Sequence, residues 1–113
     1  RIVVVGEHRR NVTLLSDALA GYAVTTVTSP EQLNPVLSGT LPADLVVVDT
    51  DTVGDDVNAL VETLLDAALS VVLLADDASP RIRRAAAETE GLTFREKPLR
   101  SSDLRTVVGE RLG

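Results

Sequence analysis

An α/β fold built on a parallel sheet is predicted by three features of the chain. Continuous apolar runs of strand length recur along it, stripes at helical spacing separate them, and Gly or Ser-Pro pairs punctuate the joins. Ile2-Val3-Val4-Val5, Leu45-Val46-Val47-Val48 and Val71-Val72-Leu73-Leu74 are unbroken and rich in β-branched residues. Such runs suit strands covered on both faces, as in a parallel sheet.

Taken in order, the first strand is Ile2-Val5, and Val12, Leu15 and Leu19 then mark a helix that should stop at Gly21. The segment from Tyr22 to Thr28 alternates apolar and polar residues, as an edge strand would. Ser29-Pro30 reads as an N-cap followed by proline at the first helical position, opening a second helix through Leu33, Val36 and Leu37 to Gly39. The third strand, Leu45-Val48, leads to a stripe of Val57, Leu60, Val61, Leu64 and Leu65. The fourth, Val71-Leu74, leads through Ser79-Pro80 to a helix that ends near Gly91. Leu92 to Glu96 is a short fifth strand. Ser101 or Ser102 can cap the last helix, whose stripe is Leu104, Val107, Val108 and Leu112, with Asp103 favourable in its first turn. Right-handed strand–helix–strand crossovers then make the sheet parallel with helices on both faces.

At 113 residues the chain is expected to form one domain, residues 1–113. Aromatics are only 2% of it, which removes stacking platforms for single-stranded nucleic acid. The net charge of −6 argues against direct nucleic-acid contact and suits divalent cations or a basic partner face. With no cysteine, thiolate and disulfide chemistry are excluded. The apolar runs are too short to span a bilayer, no basic-then-apolar leader is visible, and a cytoplasmic location is the expectation. Beginning at Arg1 rather than Met, the sequence reads as an excised fragment or one lacking a few residues.

Strands that run parallel deliver their C-terminal ends to one edge, where doubly wound sheets place their chemistry. Glu7, Asp49, Asp76 and Lys97 all stand at such ends. A carboxylate closing an apolar strand is costly without a partner or a task. Asp49, next to Glu7 on an adjacent strand, is suited to a hard cation and can also act as a nucleophile toward phosphorus. Lys97, before Pro98, could clamp a phosphoryl oxygen. The bland alternatives are a capping or loop aspartate, a solvated glutamate and a surface ion pair of little worth. His8, the single histidine, reads as a solvated loop residue unless it binds metal or relays protons. Arg81, Arg83 and Arg84 form either a solvated helix face or a partner surface. Asp51, Asp55 and Asp56 lack the spacing of a calcium loop, and a lone Gly6 does not make a dinucleotide fingerprint.

The segments IVVVGEH, ADLVVVDTD, SVVLLADD and FREKPL, at these intervals, make the chain resemble a receiver domain of two-component response regulators over essentially its whole length. The resemblance implies a flavodoxin-like (βα)5 doubly wound sheet in strand order 2-1-3-4-5. It implies that Asp49 is the phosphoacceptor, that Glu7, Asp49 and the Asp51 carbonyl hold Mg2+, and that Lys97 pairs the phosphoryl group. It further implies a cis Lys97-Pro98 peptide and an aromatic switch at Phe94. A histidine kinase or phosphotransfer protein would be the donor. The fourth helix, fifth strand and fifth helix would face an effector domain, a partner protein or a second copy.

Departures from that pattern are specific. Gly6 stands where the first acid of the metal pair is usual, and Ala75 where a serine or threonine hydroxyl usually bonds the phosphoryl group. Asp76 follows where a small neutral residue is usual, and Val53 replaces a common proline. The missing hydroxyl removes a charge-assisted bond of about 1.5–3 kcal/mol that forms only in the phosphorylated state. A phosphoaccepting receiver that is not a dedicated enzyme is therefore the leading expectation. An unphosphorylated pseudo-receiver that serves as an interaction module is the alternative. A haloacid-dehalogenase-type enzyme would use Asp51 as its second acid, but the chain has no room for a cap domain.

Overall fold

Five strands and the helices between them follow one another strictly: β1 (Ile2–Gly6), α1 (Arg9–Ala18), β2 (Val24–Val27), α2 (Asn34–Leu37), β3 (Leu45–Thr52), α3 (Asp55–Asp66), β4 (Ser70–Asp77), α4 (Pro80–Glu88), β5 (Leu92–Glu96) and α5 (Ser101–Leu112). This computed structural model describes residues 1–52, 55–77 and 80–112, without the side chains of residues 30, 52, 55, 77, 81 and 82. The expectations for Val53, for Ser79 as a cap and for the Asp55 and Arg81 side chains lie outside the described residues.

All strand pairings are parallel, in the order β2-β1-β3-β4-β5. This is the doubly wound, flavodoxin-like arrangement, and the apolar runs explain it. In β1 every residue is buried, because alternate side chains serve opposite layers. Val3, Val5, Val46, Val48, Val71 and Leu73 pack on one face against Val36 of α2 and Val61 and Leu64 of α3. Ile2, Val4, Leu45, Val47, Val72 and Leu74 pack on the other against Val12 of α1 and Leu104, Val107 and Val108 of α5. Each such side chain contributes roughly 1.5–3 kcal/mol on burial. Arg105 of α5 donates to the carbonyls of Ala18 and Ala20 at 3.1 and 2.8 Å, satisfying the end of α1 and fixing the two helices side by side.

Three local expectations need correction. The second helix is split into a 3-10 turn (Pro30–Leu33) and a single α-helical turn, because Pro35 has no N–H to continue the ladder. Ser29 occupies the N-cap position but makes no side-chain cap bond, while the Gln32 side chain reaches back so that its Oε1 accepts from the Thr28 N–H at 2.9 Å. Ser101 and Ser102 lie inside α5, whose first backbone bond runs from the Leu104 N–H to the Arg100 carbonyl at 3.0 Å. Gly21, Gly39 and Gly91 do adopt positive φ (101°, 82° and 92°), the conformation that ends a helix at small cost for glycine. Among the described residues no helix is long and apolar enough to cross a membrane.

Candidate functional site

The C-terminal edge of the sheet collects the charged residues. Gly6 of β1 is level with Asp49 of β3, and Asp49 with Leu74 of β4. Ala75, next on β4, is level with Glu96 of β5, so Lys97 emerges one residue beyond it. The Lys97 N–H donates to the Ala75 carbonyl at 2.8 Å, and the Lys97-Pro98 peptide is cis. Strand register thus brings residues 49, 76 and 97 to one place.

Lys97 Nζ donates to Asp49 Oδ1 at 2.9 Å and lies 3.7 Å from Asp51 Oδ1. The Asp49 side chain is 2% exposed and that of Lys97 15%, so this ion pair is poorly screened. The second Asp49 oxygen, Oδ2, is buried without a hydrogen-bond partner among the described residues. A charged oxygen left so is expensive, and such an atom in a folded protein marks a strained or chemically used position. On the outer side, His8 Nε2 lies 3.0 Å from Asp51 Oδ2. A chain of contacts therefore runs from His8 through Asp51 to Lys97 and Asp49.

Charge shapes this edge. Burial pulls the Lys97 ammonium down, but the Asp49 hydrogen bond and the charges of Asp49, Asp76 and Asp51 outweigh it and hold its pKa above the ordinary lysine value. Asp51, hydrogen-bonded to His8 and close to Lys97, is shifted below the usual carboxylate range, and His8 is raised by the same bond. A cavity of about 360 Å3 opens here, lined by Asp49, Asp51, Asp76, Lys97 and Pro98 with Asn11, Leu14 and Leu15 of α1. Three carboxylates against one ammonium leave it net negative.

Asp49 stands between two cavities. Glu7 is exposed and lines the other, of about 320 Å3, on the α3 side, together with Asp49, Asp56 and mainly apolar residues. The sequence-predicted residues are thus brought together in two groups that share Asp49. No three acidic or imidazole groups among the described residues converge closely enough to hold a metal ion by themselves. The unpartnered Oδ2 is nevertheless an anionic oxygen without a protein donor among the described residues, and Mg2+ often takes only one or two carboxylates and keeps several waters. The donor set fits a weakly held divalent cation.

Ala75 is fully buried and offers only a methyl group. Phe94 is half-buried against the α3 side of the core, with the Arg83 guanidinium 5.8 Å from its ring centre. Arg83 also pairs with Glu96 at 3.0 Å, so this member of the basic cluster is tied to β5. Sequence reasoning named two residues but missed what they touch. One is His8, whose tie to Asp51 spans 43 positions. The other is Val12, a core position by its spacing, whose Cγ2 would lie 2.6 Å from a Cβ placed on Gly6. Neither contact leaves a local signal in the sequence.

No protein-family model and no curated protein matches this chain. Solved structures do. A putative pilus assembly-related protein from Burkholderia pseudomallei is 22% identical, with a TM-score of 0.77 over 97% of this chain and 87% of that one. A response regulator receiver protein from Sinorhizobium medicae is 23% identical, with a TM-score of 0.73 over 98% and 92%. The receiver domain of the hybrid histidine kinase CckA is 20% identical, with a TM-score of 0.71, and both chains are covered completely. At this identity the likeness establishes that the chain has the receiver-domain fold. Chemistry has to be argued from the site.

Proposed function

We propose that the chain is a phosphoaccepting receiver domain in which Asp49 takes a phosphoryl group from a phosphohistidine on a histidine kinase or phosphotransfer protein. The observation that carries this reading is the asymmetric Asp49 carboxylate: Oδ1 bound to Lys97, Oδ2 buried and without a partner. In the transfer, an oxygen of the Asp49 carboxylate forms a bond to phosphorus as the phosphorus–nitrogen bond of the donor breaks, and the departing imidazole takes up a proton. Lys97, kept protonated by its acidic neighbours, pairs the arriving negative charge in a poorly hydrated setting where such contacts are strong. Glu7, Asp49 and the Asp51 carbonyl would hold Mg2+, which would supply positive charge beside the transferring group. The 360 Å3 cavity leaves room for a phosphoryl group against Asp49. The chain would act as a cytoplasmic signalling module rather than a dedicated enzyme. Its output would pass through α4, β5 and α5, whose groove of about 560 Å3 is lined by Arg83, Phe94, Arg95 and Arg111, to an effector domain, a partner protein or a second copy.

A pseudo-receiver that pairs with partners without phosphorylation is favoured by two observations: Val12 fills the space at Gly6, and Ala75 offers no hydroxyl. Beryllofluoride, which mimics a phosphoryl group, separates the two readings. Added with millimolar Mg2+, it should shift amide resonances around Asp49, and Asp49→Ala should abolish the response. Silence in the wild-type protein would remove the acceptor reading in favour of the pseudo-receiver.

A further inference from the structure

Gly6 and Asp49 are level on adjacent parallel strands. A Cβ at position 6 would lie 3.5 Å from the Asp49 Cβ, so a side chain there would stand directly beside the acceptor carboxylate. The same Cβ would meet Val12 Cγ2 at 2.6 Å, far inside van der Waals contact. Val12 has little freedom to yield. It is β-branched on a helix, where one χ1 rotamer dominates. It is 2% exposed, within the cluster formed by Ile2, Val4, Leu19 and Leu104. Its N–H is bound to the His8 carbonyl at 3.1 Å, which anchors the start of α1. A methyl group therefore fills the volume that a third acidic side chain would need, and among the described residues no such trio is gathered.

We propose that Val12 closes position 6 to a further cation ligand: its methyl group takes the volume a side chain there would need, so Asp49 stays short of a third carboxylate and divalent binding stays weak. Glycine at position 6 and valine at position 12 then form one coupled unit, in which relieving either alone does not rebuild the site. The functional meaning rests on the acceptor reading above; the packing and binding claims do not.

The test compares wild type, Val12→Ala, Gly6→Asp and the double variant by Mg2+ titration of amide shifts, with thermal melting in the absence of Mg2+. Val12→Ala alone should leave affinity within about twofold of wild type, since it adds no ligand. Gly6→Asp alone should melt lower, with only a small gain in affinity. The double variant should bind about tenfold more tightly or better, on the scale by which altered ligand surroundings change metal affinity, and should regain part of the lost melting temperature. Should Gly6→Asp by itself match the double variant, or the double variant gain nothing, the proposal is overturned. Gly6→Ala, made with and without Val12→Ala, reads the steric coupling without added charge and decides the case if the aspartate variants do not fold. Gly6→Ala should melt lower than wild type, and Val12→Ala should cost less in that background; independent, additive effects would overturn the coupling. A wild-type protein silent to beryllofluoride beside a tight-binding double variant would sink the acceptor reading and leave this inference standing.

Discussion

Lys97 is shared unequally between two carboxylates. Asp49 holds it at 2.9 Å in near-complete burial, and Asp51 stands off at 3.7 Å with half its side chain in water. Removing Lys97 would strand a buried anion, whereas removing Asp51 would disturb a screened contact, so the two acids are not equivalent partners. Asp51 is in turn the main cause of the raised His8 pKa, and His8 the main cause of the lowered Asp51 pKa. The signs set a window. A raised histidine contributes stability that is complete below its unfolded value of 6.5 and is lost as pH rises through its folded value. A lowered aspartate contributes stability that is present above 3.8 and is lost as pH falls through its folded value. The contact is therefore fullest in mildly acidic solution and fades toward both extremes. Following the imidazole by NMR, His8 should titrate above 6.5 in the wild type and return toward 6.5 in Asp51→Asn; equal midpoints would show that Asp51 is not the cause. Asp49 and Lys97 were legible as candidates because each follows a run of strand length, although β3 continues past Asp49 to Thr52. The His8–Asp51 tie was not, since side chains alone join the loop after β1 to the end of β3.

Helix ends show where local rules act and where they are overridden. Gly21, Gly39 and Gly91 take positive φ two or three residues beyond the ends of α1, α2 and α4, near where their spacing predicted a stop. The end of α3 does the same with alanine: Ala68 has φ 62°, its N–H bonds to the Leu65 carbonyl at 2.9 Å, and the Leu69 N–H bonds to the Leu64 carbonyl at 3.2 Å. That pair is the Schellman pattern, which ordinarily recruits glycine at this position. The left-handed conformation strains the alanine Cβ. Ala68→Gly should stabilise the protein by about 0.5–1 kcal/mol, the left-handed strain relieved less the extra chain entropy of glycine. Chemical denaturation measures it, and a lowered midpoint would contradict the account. The split second helix is the converse case, because Pro35 was visible but its effect on the ladder depends on where the preceding turn begins.

Across the whole molecule, the β3–β4–β5 block joins the charged edge to α4, and Ala75 sits at that junction, level with Glu96. On the acceptor reading, its methyl group would give a phosphoryl group at Asp49 no hydrogen bond, so phosphorylation would shift the population less than it would with a hydroxyl there. Ala75→Thr should therefore enlarge and extend the amide shifts in α4 and β5 when Mg2+ and beryllofluoride are added. Unchanged shifts there would mean that the hydroxyl is not the limiting element. The acidic edge itself follows from parallel topology: with every strand running the same way, Asp49, Asp76 and Lys97 could only meet at one end. By itself the sequence determined the order of strands and helices, the parallel sheet and the residues eligible for chemistry, because hydrophobic period and strand-end position are written locally along the chain. Only the tertiary structure decided that Lys97 reaches Asp49, that Glu7 opens onto a separate cavity and that Val12 occupies the space at Gly6. Those are distances between elements far apart in sequence, set by how side chains fill volume once the layers have closed.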